Sequence, residues 1–500
     1  GVDLPSDDQF NRVSFLSHFE GSNEGINNVF IDGHDTSNPH TITKNGNVTQ
    51  GSFGPFARPD GEWAVTFDGL NDSYLTTPNS SDFAFGTGDF TIEFWFNPNH
   101  TDTGYILDSR GTGVNGFRLY RAGASGGDLV FSTAGSGSSS TTVDANTVNN
   151  NWYHFCATRA SGVIKFFING SQVGSDVNDT SNITSTDLNI GASYGESLAF
   201  TGIISNLRII KGTAVNPTEL PTSAATNVTN TVLLTCQSNR FVDNSSSGHT
   251  ITPDGGVAVT SFGAILTSSV YDAAVNGASA YFDDAGDYLS IADNTDFDLN
   301  GESEFTIEAW LWPSSESGTG NNKFTILSKR SGSNGYLLLM TGSNVLQFYA
   351  GSFLAASSLS VGAWHHVAAV KISTSSFKIY VNGVEEYTTS SNINPADVST
   401  ALTIGADEDP AREYNGYMSD VRIVKGAAVY TSAFTPPTAP LAVIDSNTKL
   451  LLNMADGQAI DSAAQNNLTL YGSAKLSTGQ AKFGNTSILF NGNSDFLTFP

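Results

Sequence analysis

The sequence predicts an all-β fold built of tandem units, and three observations carry that expectation. Composition is the first: 50 Gly, 32 Phe and 16 Tyr stand against only 3 Met, which favours strands and turns over helices. Periodicity is the second. In Phe90-Thr-Ile-Glu-Phe-Trp-Phe-Asn-Pro, Phe and Ile occupy one parity and Thr, Glu and Trp the other, as expected of a strand with one face on a core. The third is repetition, because Phe305-Thr-Ile-Glu-Ala-Trp-Leu-Trp-Pro returns 215 residues later. A period this long is a whole domain, since solenoid units run roughly 20–50 residues.

The elements follow in the same order in each copy. An apolar strand opens each repeat, at Val13–His18, Thr231–Cys236 and Lys449–Met454. Next comes a loop Asp ahead of a short strand: Asp35 leads to His40-Thr-Ile-Thr, Asp243 to His249-Thr-Ile-Thr, and Asp461 to Leu468-Thr-Leu. Phe67-Asp-Gly with Tyr74-Leu75, and Phe282-Asp-Asp with Tyr288-Leu289, precede the Phe-Thr-Ile-Glu strands. Trp152-Tyr-His-Phe and Trp364-His-His-Val lead into strands ending at Asn169-Gly170 and Asn382-Gly383. Asn-Gly between alternating runs predicts hairpins with type I′ turns, because both turn positions need positive φ. Each repeat closes on Gly202–Gly212 or Gly416–Gly426, and proline-containing joints follow at Pro217, Pro221, Pro436, Pro437 and Pro440. Proline stiffens such joints into short extended spacers.

These anchors divide the chain into a lead-in at 1–11, repeat one at 12–216, a linker at 217–230, repeat two at 231–431, a Pro-rich linker at 432–447 and the opening of a third repeat at 448–500. The third stops before its own Phe-Thr-Ile-Glu strand, so a continuation beyond Pro500 is expected. The start at Gly1 without Met reads as an end processed or cut from something longer.

Composition also excludes. With 22 Lys and Arg against 48 Asp and Glu, the formal charge of −26 repels polyanions, so nucleic acid is not an expected partner. Excess carboxylates serve either a solvated surface or hard cations such as calcium. The 2 cysteines, Cys156 and Cys236, fall in different repeats and read as buried small hydrophobes, not a disulfide framework. No apolar run reaches the ~18 residues of a membrane helix, and membrane insertion is not expected.

Taken together, the ordered segments resemble concanavalin A-like, laminin-G-like jelly-roll modules over nearly the whole chain. That resemblance implies paired antiparallel sheets, two complete sandwiches and the start of a third. A finer resemblance, carried by Leu233–Ser246, Gly51–Pro59 and Arg422–Pro437, is to the tandem laminin-G-like modules of marine tailed-bacteriophage virion proteins.

Candidate chemistry is sparse. Glucanases of this fold carry Glu-x-Asp-x-Glu on a strand, whereas Glu304-Phe-Thr-Ile-Glu308 has Thr306 in the middle and the first repeat offers only Asp89 and Glu93. Four residues of strand separate such carboxylates by roughly 13 Å, beyond the ~5–9.5 Å of either hydrolytic geometry, so no catalytic residues are expected. Gly123-Ala-Ser-Gly-Gly127 matches a nucleophile elbow, but it lies in a Gly/Ser loop with no helix after it and reads as a turn. His154, His365 and His366 have no Cys or carboxylate at ligand spacing, which gives a transition-metal site no support there.

Trp95, Trp310 and Trp312 are either a second core under covering loops or a sugar-stacking platform; Glu93 and Glu308 beside them need partners if buried. For calcium, relatives of the fold pair an early loop Asp with an acid on the closing strand. Asp35, Asp243 and Asp420 are the candidate ligands, with Asn206 replacing the acid in repeat one. The alternative for each loop Asp is an Asx-turn cap.

The expected protein is a non-enzymatic component of a phage virion: a fibre, appendage or decoration that meets host-surface glycans or other virion proteins. It is expected outside the cell, as a homo-oligomer such as a trimer, with calcium as the candidate cofactor. A secreted or surface bacterial adhesin with the same modules is the alternative.

Overall fold

A computed structural model describes residues 17, 25–27, 29–35, 37–70, 73–111, 114–123, 127–133, 141–143, 145–265, 271–314, 324–407, 412–457, 460, 467–480 and 486–498. Most of the first opening segment, residues 124–126 of the Gly/Ser loop and Asp461 lie outside them. The described residues fall into two compact units, one holding 58–265 and the other 17–57 with 271–498.

The first unit pairs an eight-stranded and a seven-stranded antiparallel sheet. At the centre of the larger sheet, Phe90–Pro98 lies between Tyr153–Ala160 and the closing strand Thr201–Lys211. Its alternation is used as the sequence requires. Phe90, Ile92, Phe94 and Phe96 are all 0% exposed, and rings meet across the unit, as where Phe131 of the smaller sheet packs edge-on against Phe166 of the larger at 5.5 Å. Thr91, Glu93 and Trp95 lie on the opposite face, where Trp95 joins Trp152, Ala64 and Ala264 in a second, smaller core.

The second unit repeats this plan with Phe305–Pro313 between His365–Ser373 and Asn415–Lys425. Its core joins Ile307, Leu311 and Ile379 of the larger sheet to Leu289, Leu338 and Phe348 of the smaller. The hairpins turn as the Asn-Gly pairs demand, with φ of 50° and 80° at Asn169-Gly170 and 50° and 79° at Asn382-Gly383. A Cβ at Gly383 would stand 1.8 Å from the Phe434 carbonyl oxygen, so the joint after the closing strand packs directly on this turn. Cys156 and Cys236 are free and buried, and burial pushes the Cys236 thiol up to about 12.

The units are offset from the sequence repeats. Thr231–Thr235, which opens repeat two in sequence, pairs with the closing strand of the first unit. Thr252–Asp254 and Ala258–Thr260 complete the two sheets of that unit. In the second unit Thr448–Leu452 takes the first of these roles, while Thr43–Asn45 and Thr49–Gly51, from the other end of the sequence, take the others. The third repeat's own Thr469–Tyr471 and Lys475–Ser477 pair instead with Phe496–Thr498 and Ser487–Leu489.

This topology also corrects one equivalence. Asp32, not Asp35, stands where Asp243 does. Leu451 N donates to Asp32 Oδ1 and Gly33 N to Leu451 O, as Leu234 N donates to Asp243 Oδ1 and Asn244 N to Leu234 O.

Candidate functional site

The repeated Glu of the central strand is where the two units become chemically distinct. A β-bulge in each closing strand, centred on a residue in the left-handed region, shifts register and sets an arginine opposite that Glu. The left-handed residues are Asn206 (φ 53°) and Asp420 (φ 52°). Arg208 Nε donates to Glu93 Oε1 at 2.8 Å, and Arg422 Nε to Glu308 Oε1 at 2.8 Å. An imidazole from the neighbouring strand flanks each carboxylate: His154 Nε2 is 3.4 Å from Glu93 Oε2, and His366 Nε2 is 3.1 Å from Glu308 Oε2. Burial pushes both carboxyls up, but the imidazole contact and the guanidinium outweigh it, and both stand below the ordinary Glu value.

The covers differ. In the second unit Tyr430 Oη donates to Glu308 Oε2 at 2.8 Å and its ring stacks on Phe434 at 3.7 Å. Glu308 is thereby 0% exposed. Val429 N donates to Thr306 Oγ1 as Val215 N donates to Thr91 Oγ1, which places Asn216 where Tyr430 would be. Asn216 turns its Oδ1 to the Thr158 hydroxyl, and residues 216–226 contain no aromatic. What is left is a recess of about 230 Å³ lined by Glu93, Trp95, His154, Arg208 and residues 223–226. It is smaller than the ~300–1,000 Å³ typical of drug-sized ligands, and suits a single ring bearing hydroxyls.

Of the expected aromatic residues, Trp95 borders this recess only by an edge, since it is 6% exposed and packed in the second core. Trp310 is 2% exposed, edge-on to Phe56 at 5.5 Å, and cannot offer a face to a sugar. Trp312 is half-buried, with Phe53 and Tyr417 edge-on to it at 5.8 and 5.5 Å. The expected calcium ligands divide between the two units, and each is hydrogen-bonded within its own. Asp243 belongs to the first unit, where it accepts hydrogen bonds from Leu234 N, Ser245 N, Ser245 Oγ and His249 N. Asp35, in the second unit, is exposed and caps a turn through Ser37 N.

Asp420 is fully buried, accepts from Leu441 N and Asn453 Nδ2, and lies 2.6 Å from Ser419 Oγ. A carboxyl shut from solvent and occupied by three protein groups does not suit a calcium ion. Burial raises it to about 6, against those hydrogen bonds, with the Glu308 charge adding to the rise.

Sequence reasoning asked for partners to Glu93 and Glu308 but did not name Arg208 and Arg422. Both sit in the repeated Arg-Ile-Ile/Val-Lys-Gly motif, which was the available signal. Glu304 and Asp89 are spent on turns, accepting from Ala428 N and Ser161 N respectively.

A Laminin_G_3 model, that of the Concanavalin A-like lectin/glucanases superfamily, matches residues 67–220 and 283–429. No curated protein matches the chain. Among solved structures, a candidate carbohydrate-binding protein from Bacteroides ovatus is similar at 17% identity and TM-score 0.32, over 39% of this chain and 59% of that one. A heptameric SAP-like pentraxin from Limulus polyphemus gives 17% identity and TM-score 0.31 over 40% and 96%. Domains LG4-5 of the mouse laminin alpha1 chain give 12% identity and TM-score 0.27 over 76% and 94%.

Proposed function

Since the chain belongs to the Concanavalin A-like lectin/glucanases superfamily, we propose that it is a non-enzymatic glycan-binding protein whose first unit carries the recognition recess. The observation that carries this reading is the solitary carboxylate. Glycoside hydrolysis canonically uses two carboxyls with different proton affinities, and among the described residues Glu93 is the only acid lining the recess. Clamped by Arg208 and flanked by His154, it stays ionised and cannot serve as a general acid. The same groups suit binding, because an ionised acceptor, a guanidinium, an imidazole and an indole edge answer the mixed polar and apolar surface of a sugar ring.

The test is a glycan array with the wild-type chain and Asn216→Tyr, which installs the tyrosine that closes the second unit. Binding by the wild type and at least a tenfold weaker response from the variant, with unchanged circular dichroism, is the expected result. Equal binding by both would move the site elsewhere, and a silent array would remove the glycan reading. We further propose that these modules belong to a tailed-phage fibre, appendage or decoration; mass spectrometry of purified virions tests this, and recovery from bacterial envelopes instead would favour a bacterial adhesin.

A further inference from the structure

We propose that Asp32, His34 and His40 of the second unit form a binding site for a divalent transition-metal ion of the zinc class. Asp32 Oδ2 lies 2.6 Å from the Nδ1 atoms of both His34 and His40, and the three potential ligand atoms all lie within 4.8 Å of one another. Among the described residues this is the one convergent group of three such side chains. Two imidazoles and one carboxylate are a ligand set that zinc and its neighbours accept. The rings stack at 4.6 Å, so both approach the carboxylate from one side.

The surroundings prepare each ligand. Asp32 is 0% exposed, and its Oδ1 accepts His34 N at 3.0 Å and Leu451 N at 3.1 Å, which fixes the carboxylate with Oδ2 toward the rings, where it also accepts His40 N at 3.4 Å. His40 Nε2 faces Asp296 Oδ2 at 3.5 Å. A carboxylate on the far nitrogen of a histidine holds its proton there and presents the near nitrogen as a ligand. The His34 and His40 side chains are 10% and 8% exposed, so solvent reaches the cluster and can supply a further ligand.

The first unit is an internal control. Asp243 holds the same backbone bonds, and His249 likewise turns Nε2 to an acid, Asp82. Ser245 stands in place of His34, its hydroxyl donating to Asp243 Oδ2. One imidazole and one carboxylate do not hold zinc tightly. His34 in place of Ser245, on a loop two residues longer before its second histidine, thus turns a turn cap into a chelating set.

The experiment is calorimetric titration of the chelator-stripped full chain with ZnCl₂, alongside the cobalt absorption spectrum. Expected are one tight site per chain, a rise in melting temperature with Zn²⁺, and no competition from Ca²⁺, which prefers all-oxygen sites. His34→Ser copies the first unit's loop and should fold; it is expected to weaken Zn²⁺ binding at least tenfold, and His40→Ala likewise. A stripped wild type that takes up neither Zn²⁺ nor Co²⁺, or a double variant His34→Ser, His40→Ala that binds as the wild type does, overturns the proposal.

Discussion

The two units place the same Glu, Arg, His and Trp on the same strands, yet one arrangement is open and the other sealed. Glu93 faces a recess bordered by Trp95, whereas Glu308 is covered by Tyr430 and Phe434. The trio of Glu, Arg and His is therefore not itself the mark of a binding site. It ties the central strand to the closing strand in both units, and only where the following segment lacks an aromatic lid does a recess reach the Glu, which is 8% exposed in the first unit and 0% in the second.

The largest effect expected from breaking this comparison comes from removing the arginines. Arg422→Leu strands an ionised Glu308 with no exposure, which costs about 3–5 kcal/mol. Arg208→Leu leaves Glu93 near solvent and is expected to cost less than half of that. Hydrogen-exchange mass spectrometry resolves the two units peptide by peptide; equal loss of protection in both would show that the recess does not relieve Glu93.

Next in size is a contrast in pH response. Asp420 rises to about 6 when folded from an ordinary 3.8. Between those values the native state keeps a proton that the unfolded chain has lost, so this group's contribution falls as pH rises from about 4 to about 6. The cost at pH 7 is bounded by about 3 kcal/mol, from roughly two pKa units at 1.36 kcal/mol each.

In the first unit Asn206 has no such charge: its Nδ2 donates to Ser205 Oγ at 2.8 Å, leaving that hydroxyl to donate to Trp63 O. Ser419 has one proton for both Ala278 O and Asp420 Oδ2, which a protonated Asp420 or an asparagine resolves. Asp420→Asn should therefore stabilise the second unit by about 1–3 kcal/mol at pH 7 and flatten its urea midpoint between pH 4 and 6. Glu308, held below its ordinary value, acts the other way: its contribution is present above the unfolded Glu value and is lost as pH falls through the folded one. An Asp420→Asn chain that keeps the wild-type slope between pH 4 and 6 would contradict the assignment.

Much of the fold was legible because it rests on local rules. Alternation in Phe90–Pro98 and Phe305–Pro313 predicted which side chains face the main core, and Asn-Gly predicted both hairpin turns. What alternation cannot convey is which sheet a strand joins. Thr231–Thr235 and Thr43–Asn45 read as strands of their own repeats, but their hydrogen-bond partners lie in Thr201–Lys211 and Tyr288–Ile291. The Asp32 and Asp35 equivalence failed for a related reason: the loop to His40 is two residues longer than the loop from Asp243 to His249, and only backbone hydrogen bonds identify the matching Asp. The recess was hidden because it depends on Asn216 against Tyr430, at the very ends of the repeats and just before the segments read as spacers.

The smallest effect, and the sharpest on the difference between the units, is expected from transplanting that one side chain. Tyr430→Asn removes a hydroxyl bond to Glu308 and a stacked ring from Phe434, but Tyr430 is half-buried and Glu308 keeps its bonds from Arg422. A partly exposed aromatic with one hydrogen bond is worth about 1–2 kcal/mol here, so the second unit should stay folded. Water then reaches Glu308, and the variant is expected to gain a recess like that beside Glu93. If glycans bind the first unit through its trio, Tyr430→Asn should add a second, weaker glycan site to the chain, counted as a doubling of stoichiometry in calorimetry with an array-selected sugar. A variant that opens, shown by faster exchange at 428–434, yet keeps one site per chain would locate recognition in residues 223–226 and not in the shared Glu, Arg and His.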